Sequence, residues 1–529
     1  MNLVVAAVQM EPQKGRVREN LERLLALTDQ AVERGARLVV WPEMATTGYI
    51  FSGPEEVEPL AEDARGETFE AISAYCRKRN VCICYGFAEK DPETGLLYNS
   101  ASLVDDKGEL KALYRKTHLW GEDVRWATPG TAWQVVDLPF GKVGILICRD
   151  ADFPEPARIL RQLGAEIILH PVNWLSPAPS PTWRTRALEN GVAWVAANRW
   201  GEEDGVAFSG GTSILSPEGE ILDVLSRGDG VVVASVPLRE GEEPSLPRAF
   251  ARRLLLNPQL YPSKKEDYPP GKVAVVQRGV APGEPVSMKA SLEEGLKNLS
   301  GGEVPQVVVL PQWVAARDVR GPRDLASWAE PLPGPGSDWL LQWARRLNTY
   351  VITTLLEWAE GDLYLTTVAM GPEGLLHQQR ALVLPPEARP WAQAGEGYRL
   401  WDSPWGKAVL LTLHELRDPE PLRLAAIQGA RLAFVSGDGE GIPTWLLRAR
   451  AMENQMLLAV ANREPGGGSF IYGDRRAEEG GAPLSRAGEW TYALPGFAPW
   501  LDDKSLLRQR QVALYTPLLG RKKAEANPR

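Results

Sequence analysis

The stretch VGILICRDADFPEPARIL, Val143 to Leu160, carries an apolar run onto a cysteine and then turns at once to charge, a Phe-Pro and a helix-like run. A short apolar run bounded by turn residues reads as a buried strand, and a strand that feeds a helix is the unit from which α/β layers are built. Further on, AVLLTLHELRDPEPLRL, Ala408 to Leu424, repeats the same order with leucine in place of the cysteine. The fold is therefore expected twice in one chain, with chemistry in only one of the copies.

Other segments repeat in the same register. WRTRALENGVAWVAANR, Trp183 to Arg199, laid over LRARAMENQMLLAVANR, Leu447 to Arg463, gives eight identities in seventeen positions without a gap. AAVQM at Ala6 matches AVVQR at Ala274, LVVWPEM at Leu38 matches VVVLPQW at Val307, and both copies close on Leu-Tyr, at Leu260-Tyr261 and Leu514-Tyr515. So long a period marks a duplicated domain and not a solenoid repeat. Charge, proline and glycine cluster in YPSKKEDYPPGK, Tyr261 to Lys272, and punctuation of this kind marks a boundary. The expected division is 1–262 for the first domain, 263–269 for the linker, 270–517 for the second domain and 518–529 for a charged tail. Within the first copy, LVVAAVQM, RLVVWPE, VCICYGFAEK and YNSASLVDDKGELKALYRK read as strands, the last with a turn at Asp105 to Gly108. Helical patterns lie around Asn20 to Arg34 and Phe69 to Arg79.

A chain of 529 residues exceeds a single ordinary core, which agrees with two domains. The formal net charge of -9 offers no attractive field for nucleic acid or an anionic membrane. No apolar run approaches the length of a spanning helix, and the amino terminus lacks a basic lead, so the cytoplasm is the expected compartment. Cys76, Cys82, Cys84 and Cys148 fall in the first half without metal-ligand or disulfide spacing, and free thiols fit them best. With only four histidines, an enzyme of this composition draws its base from a carboxylate or a lysine.

Three reactive groups end strand-like runs in the first copy: Glu43 after ARLVVWP, Lys116 after GELKALYR, and Cys148 after KVGILI. Strand ends are where α/β folds collect functional side chains. A carboxylate can take a thiol proton, and a lysine can favour the thiolate or hold the oxyanion formed when a thiolate attacks a carbonyl. Each residue taken singly also fits a structural role, as a small core residue, a solvated strand end or a turn.

WPEMATTGY, YRKTHLW and GILICRDADFPE, in that order, resemble the three signature segments of the nitrilase superfamily of carbon–nitrogen hydrolases. The resemblance continues through HPVNW, RALEN, AANRWG, FSGGTSILSPEGEIL and NPQLY, and so covers residues 1 to 261. It implies tandem four-layer α-β-β-α sandwiches, with Cys148 as nucleophile, Glu43 as general base and Lys116 as the group that stabilises the tetrahedral intermediate. The backbone N–H of Arg149 would complete the oxyanion site. A second acid of the family, counted back from Pro129-Gly130, falls on Asp123 with Glu122 beside it. The residue before FPE, often arginine in the family, is Asp152 here.

Where nitrilases of the family typically follow the cysteine with Trp-Glu, this chain has CRD, which favours an amide or N-carbamoyl substrate; no metal or cofactor is implied. Tyr49, Trp120, Phe153 and Trp174 flank the signature segments as candidate pocket walls or core. In the second copy, Gln312, Arg380 and Leu413 stand for Glu43, Lys116 and Cys148, so that domain is expected to be non-catalytic. A true nitrilase, a glutamine-hydrolysing ammonia supplier and a non-catalytic tandem scaffold or sensor are the rival readings. Members of the family commonly pair through a two-fold interface, so the halves are expected to form an intrachain pseudo-dimer, which leaves room for a higher homo-oligomer.

Overall fold

The structure is a computed structural model. It describes residues 2–238, 271–277, 304–313, 321–463, 467–472 and 488–493, with isolated positions elsewhere that include 509–511 and 513–515. The expected linker and the first Leu-Tyr lie outside the described residues. The chain divides into two compact units, residues 1–252 together with 509–529, and residues 253–508. The last segment thus groups with the first unit, whereas the repeat boundaries had placed it at the end of the second.

In the first unit one six-stranded sheet runs in the order Gly230–Pro237, Asn2–Gln9, Leu38–Val40, Cys82–Lys90, Leu97–Val104 and Leu110–Arg115. The other runs Ile221–Leu225, Thr212–Leu215, Ala193–Asn198, Ile167–Val172, Gly141–Ile145 and Val135–Leu138. Alternation along the strands shows what each face meets. Leu3, Val5, Ala7, Cys82, Cys84, Ala101, Leu103, Ala112 and Tyr114 join Ile145, Leu169 and Val195 in one core between the sheets. The intervening Ala6, Val8, Ile83 and Tyr85 pack instead with Leu24, Leu27, Ala31, Ile72 and Cys76, which belong to the helices Val17–Glu33 and Glu67–Arg79. Asn20, Leu24, Leu27, Thr28 and Ala31 form the buried stripe of the first helix, at the spacing that places residues on one helical face. On the second sheet, Ala157, Leu160, Trp183 and Ala187 bring the helices Pro154–Gln162 and Pro181–Asn190 into the core. The result is the helix, sheet, sheet, helix order implied by the resemblance.

The second unit repeats this with a six-stranded sheet centred on Val307–Val309 and Tyr350–Ala359 and a five-stranded sheet centred on Leu432–Ser436. Val273, Val275, Val309, Leu410, Phe434 and Ala459 fill the space between them. Ala274, Val276, Leu340 and Trp343 pack on the outer face.

Close approach fixes the loop that carries Glu43. The Ala45 N–H donates to Gly86 O at 3.0 Å, and the Asn20 amide donates to Thr46 O at 2.9 Å. A Cβ at position 86 would lie 2.6 Å from the Glu43 Cα and 2.7 Å from the Met44 nitrogen. Gly86→Ala should therefore displace this loop, destabilise the protein by about 1–3 kcal/mol, and reduce activity by more than the folded fraction explains. Thermal unfolding alongside turnover per folded molecule checks this, and an unchanged turnover would show that the loop relaxes without moving Glu43.

Candidate active site

Strand parity aims two of the site's groups inward. Lys116 follows Leu110–Arg115 in the same phase as the core residues Ala112 and Tyr114, and Asn99 shares the phase of Ala101 and Leu103. Lys116 is fully buried, and its Nζ donates to Glu43 Oε1 at 2.6 Å and to Asp123 Oδ2 at 2.5 Å. The Asn99 amide bridges the same two acids, to Glu43 Oε1 at 2.8 Å and Asp123 Oδ1 at 3.2 Å. Glu43 Oε1 thus has two donors, while Glu43 Oε2 is buried with no hydrogen-bond partner.

Of the two neighbouring acids, the geometry selects Asp123. Besides Lys116 and Asn99 it receives the Tyr49 hydroxyl at 3.4 Å and the Trp120 N–H at 3.2 Å. Glu122 points away and pairs with Arg125 at 2.9 Å on a more open surface. Tyr49 stacks on Trp120 with centroids 6.4 Å apart, and Lys116 Nζ lies 5.7 Å from the Tyr49 ring centre. These two aromatics border the charged cluster.

Cys148 opens a short 3₁₀ turn, Cys148–Asp152, three residues beyond the end of the strand Gly141–Ile145. Its φ of +44° lies in the left-handed region, a conformation that costs a non-glycine residue energy and recurs at functional turns. The turn is held from several sides. Asp150 accepts from the Ile147 N–H at 3.0 Å, the Tyr114 hydroxyl at 2.7 Å, the Thr117 hydroxyl at 2.8 Å and the His118 N–H at 3.0 Å. His170 Nε2 lies 3.1 Å from Cys148 O. The Trp194 indole N–H donates to His170 Nδ1 at 3.2 Å, and since an indole nitrogen only donates, Nε2 carries the His170 proton. Burial lowers the His170 pKa to about 4, which keeps that ring neutral.

The Cys148 Sγ lies 3.9 Å from Asn173 O, and the Asn173 amide donates to Glu43 O at 3.0 Å, so one residue touches both reactive loops. Trp174, next along, leaves an indole N–H buried and unpartnered. Phe153, read as pocket wall or core, is fully buried and stacks at 4.0 Å on His118. The Arg149 side chain bonds Gln509 at 3.1 Å.

Burial pushes the Cys148 thiol well up, the nearby Glu43 adds to this, and Lys116 opposes it. Lys116 thus acts toward the thiolate, but burial and the two carboxylates outweigh one ammonium. Burial also raises Glu43, with Lys116 opposing and Asp123 reinforcing the shift. For Lys116, burial works against the charge, yet Asp123 and Glu43 overcome it and hold the ammonium protonated. Among the described residues no group of three or more His, Cys, Asp or Glu is placed to hold a metal ion.

The second unit shows what replaces this arrangement. Backbone bonds from Lys116 N to Asn99 O and from Gly130 N to Lys116 O recur as Ala381 N to Leu365 O and Gly395 N to Ala381 O. The counterpart of Lys116 is therefore Ala381, which corrects the assignment to Arg380. Arg380 matches Arg115: the two lie over Tyr364 and Tyr98, each at 3.8 Å, and pair with Glu357 and Glu89. Leu365, Ala381 and Ala388 pack in one apolar cluster. Gln312 and Leu413 fall where expected, the latter starting a turn in which Glu415 accepts from Thr412 N as Asp150 does from Ile147 N.

Sequence reading missed Asn99, Asn173, Asp150 and the His118 and His170 supports. An asparagine in a strand whose neighbours are all buried was the available signal for Asn99, and HPVNW contained both His170 and Asn173 without revealing what either touches.

The carbon-nitrogen hydrolase family profile matches residues 4–243 and 305–490. The chain belongs to that family and is a carbon–nitrogen hydrolase of the nitrilase superfamily, with the family unit present twice. A nitrilase of Pyrococcus abyssi is 41% identical over 237 residues, 44% of this chain and 89% of that protein. An (R)-stereoselective amidase of a Pseudomonas species is 35% identical over 224 residues, 41% of this chain and 79% of that protein. The crystal structure of an amidase from a Nesterenkonia species, 27% identical, covers 44% of this chain and 90% of its own with a TM-score of 0.40. No helix among the described residues is long and apolar enough to cross a membrane.

The two acids next to each other should separate cleanly on substitution. Asp123→Asn removes one of two charges facing a buried ammonium, so kcat/KM should fall at least about 100-fold, the scale of about 3 kcal/mol or more for breaking a buried pair. Glu122→Gln, at an exposed pair, should stay within about 2-fold. Steady-state kinetics on both variants decides the assignment, and the reverse order of effects would return it to Glu122.

Proposed function

We propose that the first unit hydrolyses a non-peptide amide or N-carbamoyl bond through a thioester on Cys148. The carrying observation is the asymmetry of Glu43. Its Oε1 is engaged by Lys116 and Asn99, and its Oε2 is buried and unpartnered, a basic atom with no competing donor. Glu43 Oε2 takes the Cys148 proton as the sulfur attacks the substrate carbonyl carbon. An ammonium has three N–H groups, two of which Lys116 directs at Glu43 and Asp123. The third is available to the oxyanion, beside the backbone N–H of Arg149. Collapse of the tetrahedral adduct breaks the C–N bond, and the amine leaves with the proton from Glu43. Water then gives a proton to Glu43 and its oxygen to the thioester carbon. The second collapse releases the acid and returns the proton to sulfur.

The CRD sequence after the nucleophile and the (R)-stereoselective amidase relative support an amide substrate. The nitrilase relative supports a nitrile as the second reading. In the second unit, loss of the thiol, the base and both charged partners supports a domain with no hydrolysis of its own.

A panel of amides, N-carbamoyl compounds and nitriles, read by ammonia or amine release and by intact-protein mass, tests the reading. An acyl or carbamoyl adduct on Cys148 with an amide or carbamoyl substrate is expected. Turnover of nitriles alone would select the second reading. Cys148→Ala should abolish turnover with the fold kept, and comparable activity in that variant would overturn the mechanism. Activity should also fall on the acid side with a midpoint above the ordinary 4.5 of a glutamate, because burial raises Glu43 and only its ionised form accepts the thiol proton. A kcat/KM profile flat through that region would remove Glu43 from the role of base.

A further inference from the structure

The last described segment of the chain, residues 509–511 and 513–515, belongs to the first unit although the whole second unit precedes it in sequence. It meets the nucleophile turn at three places. Gln509 Oε1 accepts from Arg149 Nε at 3.1 Å, directly after Cys148. Arg510 Nε lies 3.4 Å from Glu155 Oε1 at the start of the helix that follows the turn, both side chains being buried. Tyr515, with no exposed surface, places its hydroxyl 3.2 Å from His118 Nε2. Leu514 O accepts from the Trp133 indole at 3.0 Å, which fastens the segment alongside.

The Tyr515 contact continues into the site. His118 Nδ1 lies 2.9 Å from Asp150 Oδ1, and Asp150 Oδ2 accepts from the Ile147 N–H. An ionised Asp150 only accepts, so Nδ1 carries a His118 proton toward it, and Nε2 on the other side of the ring shares a hydrogen bond with the Tyr515 hydroxyl. A hydrogen-bonded line thus runs from Tyr515, through His118 and Asp150, to the residue before Cys148. We infer that Tyr515 is a positioning residue for Cys148, acting through His118, so that the first unit's reactive turn is set in part by a segment that follows the second unit in sequence. Removing the hydroxyl leaves His118 Nε2 buried without its hydrogen-bond partner and frees the ring to turn away from Asp150, and Cys148 departs from its attack geometry. Such a change slows acylation without touching substrate contacts. The inference rests on the reading of Cys148 as the nucleophile.

The test uses the full-length chain with Tyr515→Phe, which keeps the ring and removes only the hydroxyl. kcat should fall about 3- to 10-fold, the value of one hydrogen bond, with KM within about 2-fold. In a His118→Asn background, where the relay is already cut, Tyr515→Phe should add nothing further, since residues on one route are non-additive. A kcat unchanged by Tyr515→Phe overturns the inference. So does a lowered unfolding temperature with kcat per folded molecule intact, and so does full additivity with His118→Asn. If His118→Asn fails to fold, the kcat against KM split in Tyr515→Phe alone decides. The adduct at Cys148 in the wild-type protein separates the two levels: its absence sinks the thioester reading, whereas its presence with an indifferent Tyr515→Phe sinks only the positioning role.

Discussion

A lysine ammonium with no access to water, Lys116, sits between two carboxylates, and the geometry of the first unit's site depends on that arrangement. Taking a charge of this size out of water costs several kcal/mol even after relaxation, and only close, well-directed partners offset it. The need to satisfy Lys116 therefore fixes Glu43 and Asp123, and Asn99 locks the two acids to each other. A by-product of the fixation is chemical. With one oxygen of Glu43 committed to Lys116 and Asn99, the other is left bare in a low-dielectric pocket, the condition in which a carboxylate is a better base than in water.

The second unit serves as an internal comparison, since its backbone repeats the first at each of these positions. Where the first unit buries asparagine, lysine and aspartate, the second has Leu365, Ala381 and Ala388 in apolar contact. Replacing a buried ion cluster by packed hydrocarbon is energetically acceptable once nothing selects for the charges. The substitutions had to go together, because a lone acid or a lone ammonium in that space is strongly destabilising. Arg380 escaped because it is half out of the core and keeps its own partners, Glu357 and Tyr364.

What both units retain is the brace under the turn. Arg186 Nε bonds Ala151 O at 3.0 Å and its guanidinium pairs with Glu189 at 2.6 Å, while Arg450 Nε bonds Leu416 O at 2.9 Å and pairs with Glu453 at 2.8 Å. The matched segments RALEN and RAMEN are therefore retained for the turn's shape and not for hydrolysis. The same division explains why the strongest repeats in the sequence lie away from the chemistry.

The sequence by itself determined the duplication, the α/β layering and the three reactive positions of the first unit, because each is written locally. Period-two apolar runs define strands, gapless identities define the repeat, and Glu43, Lys116 and Cys148 each sit inside a contiguous signature. It also determined that the second unit lacks the thiol. Counting along the chain could not decide between Glu122 and Asp123, since adjacent residues on a short helix point in different directions and only packing shows which one meets Lys116. It misaligned Arg380 by one position, because an arginine resembles a lysine in charge while the strand register, set by hydrogen bonds to Leu365 and Gly395, places Ala381 there. Phe153, read as pocket wall or core, is shown by the packing to be fully buried against His118. The return of Gln509, Arg510 and Tyr515 to the first unit was beyond any sequence rule, for Tyr515 and Gln509 meet partners 397 and 360 residues away and the contacts exist only once tertiary folding brings these distant segments together.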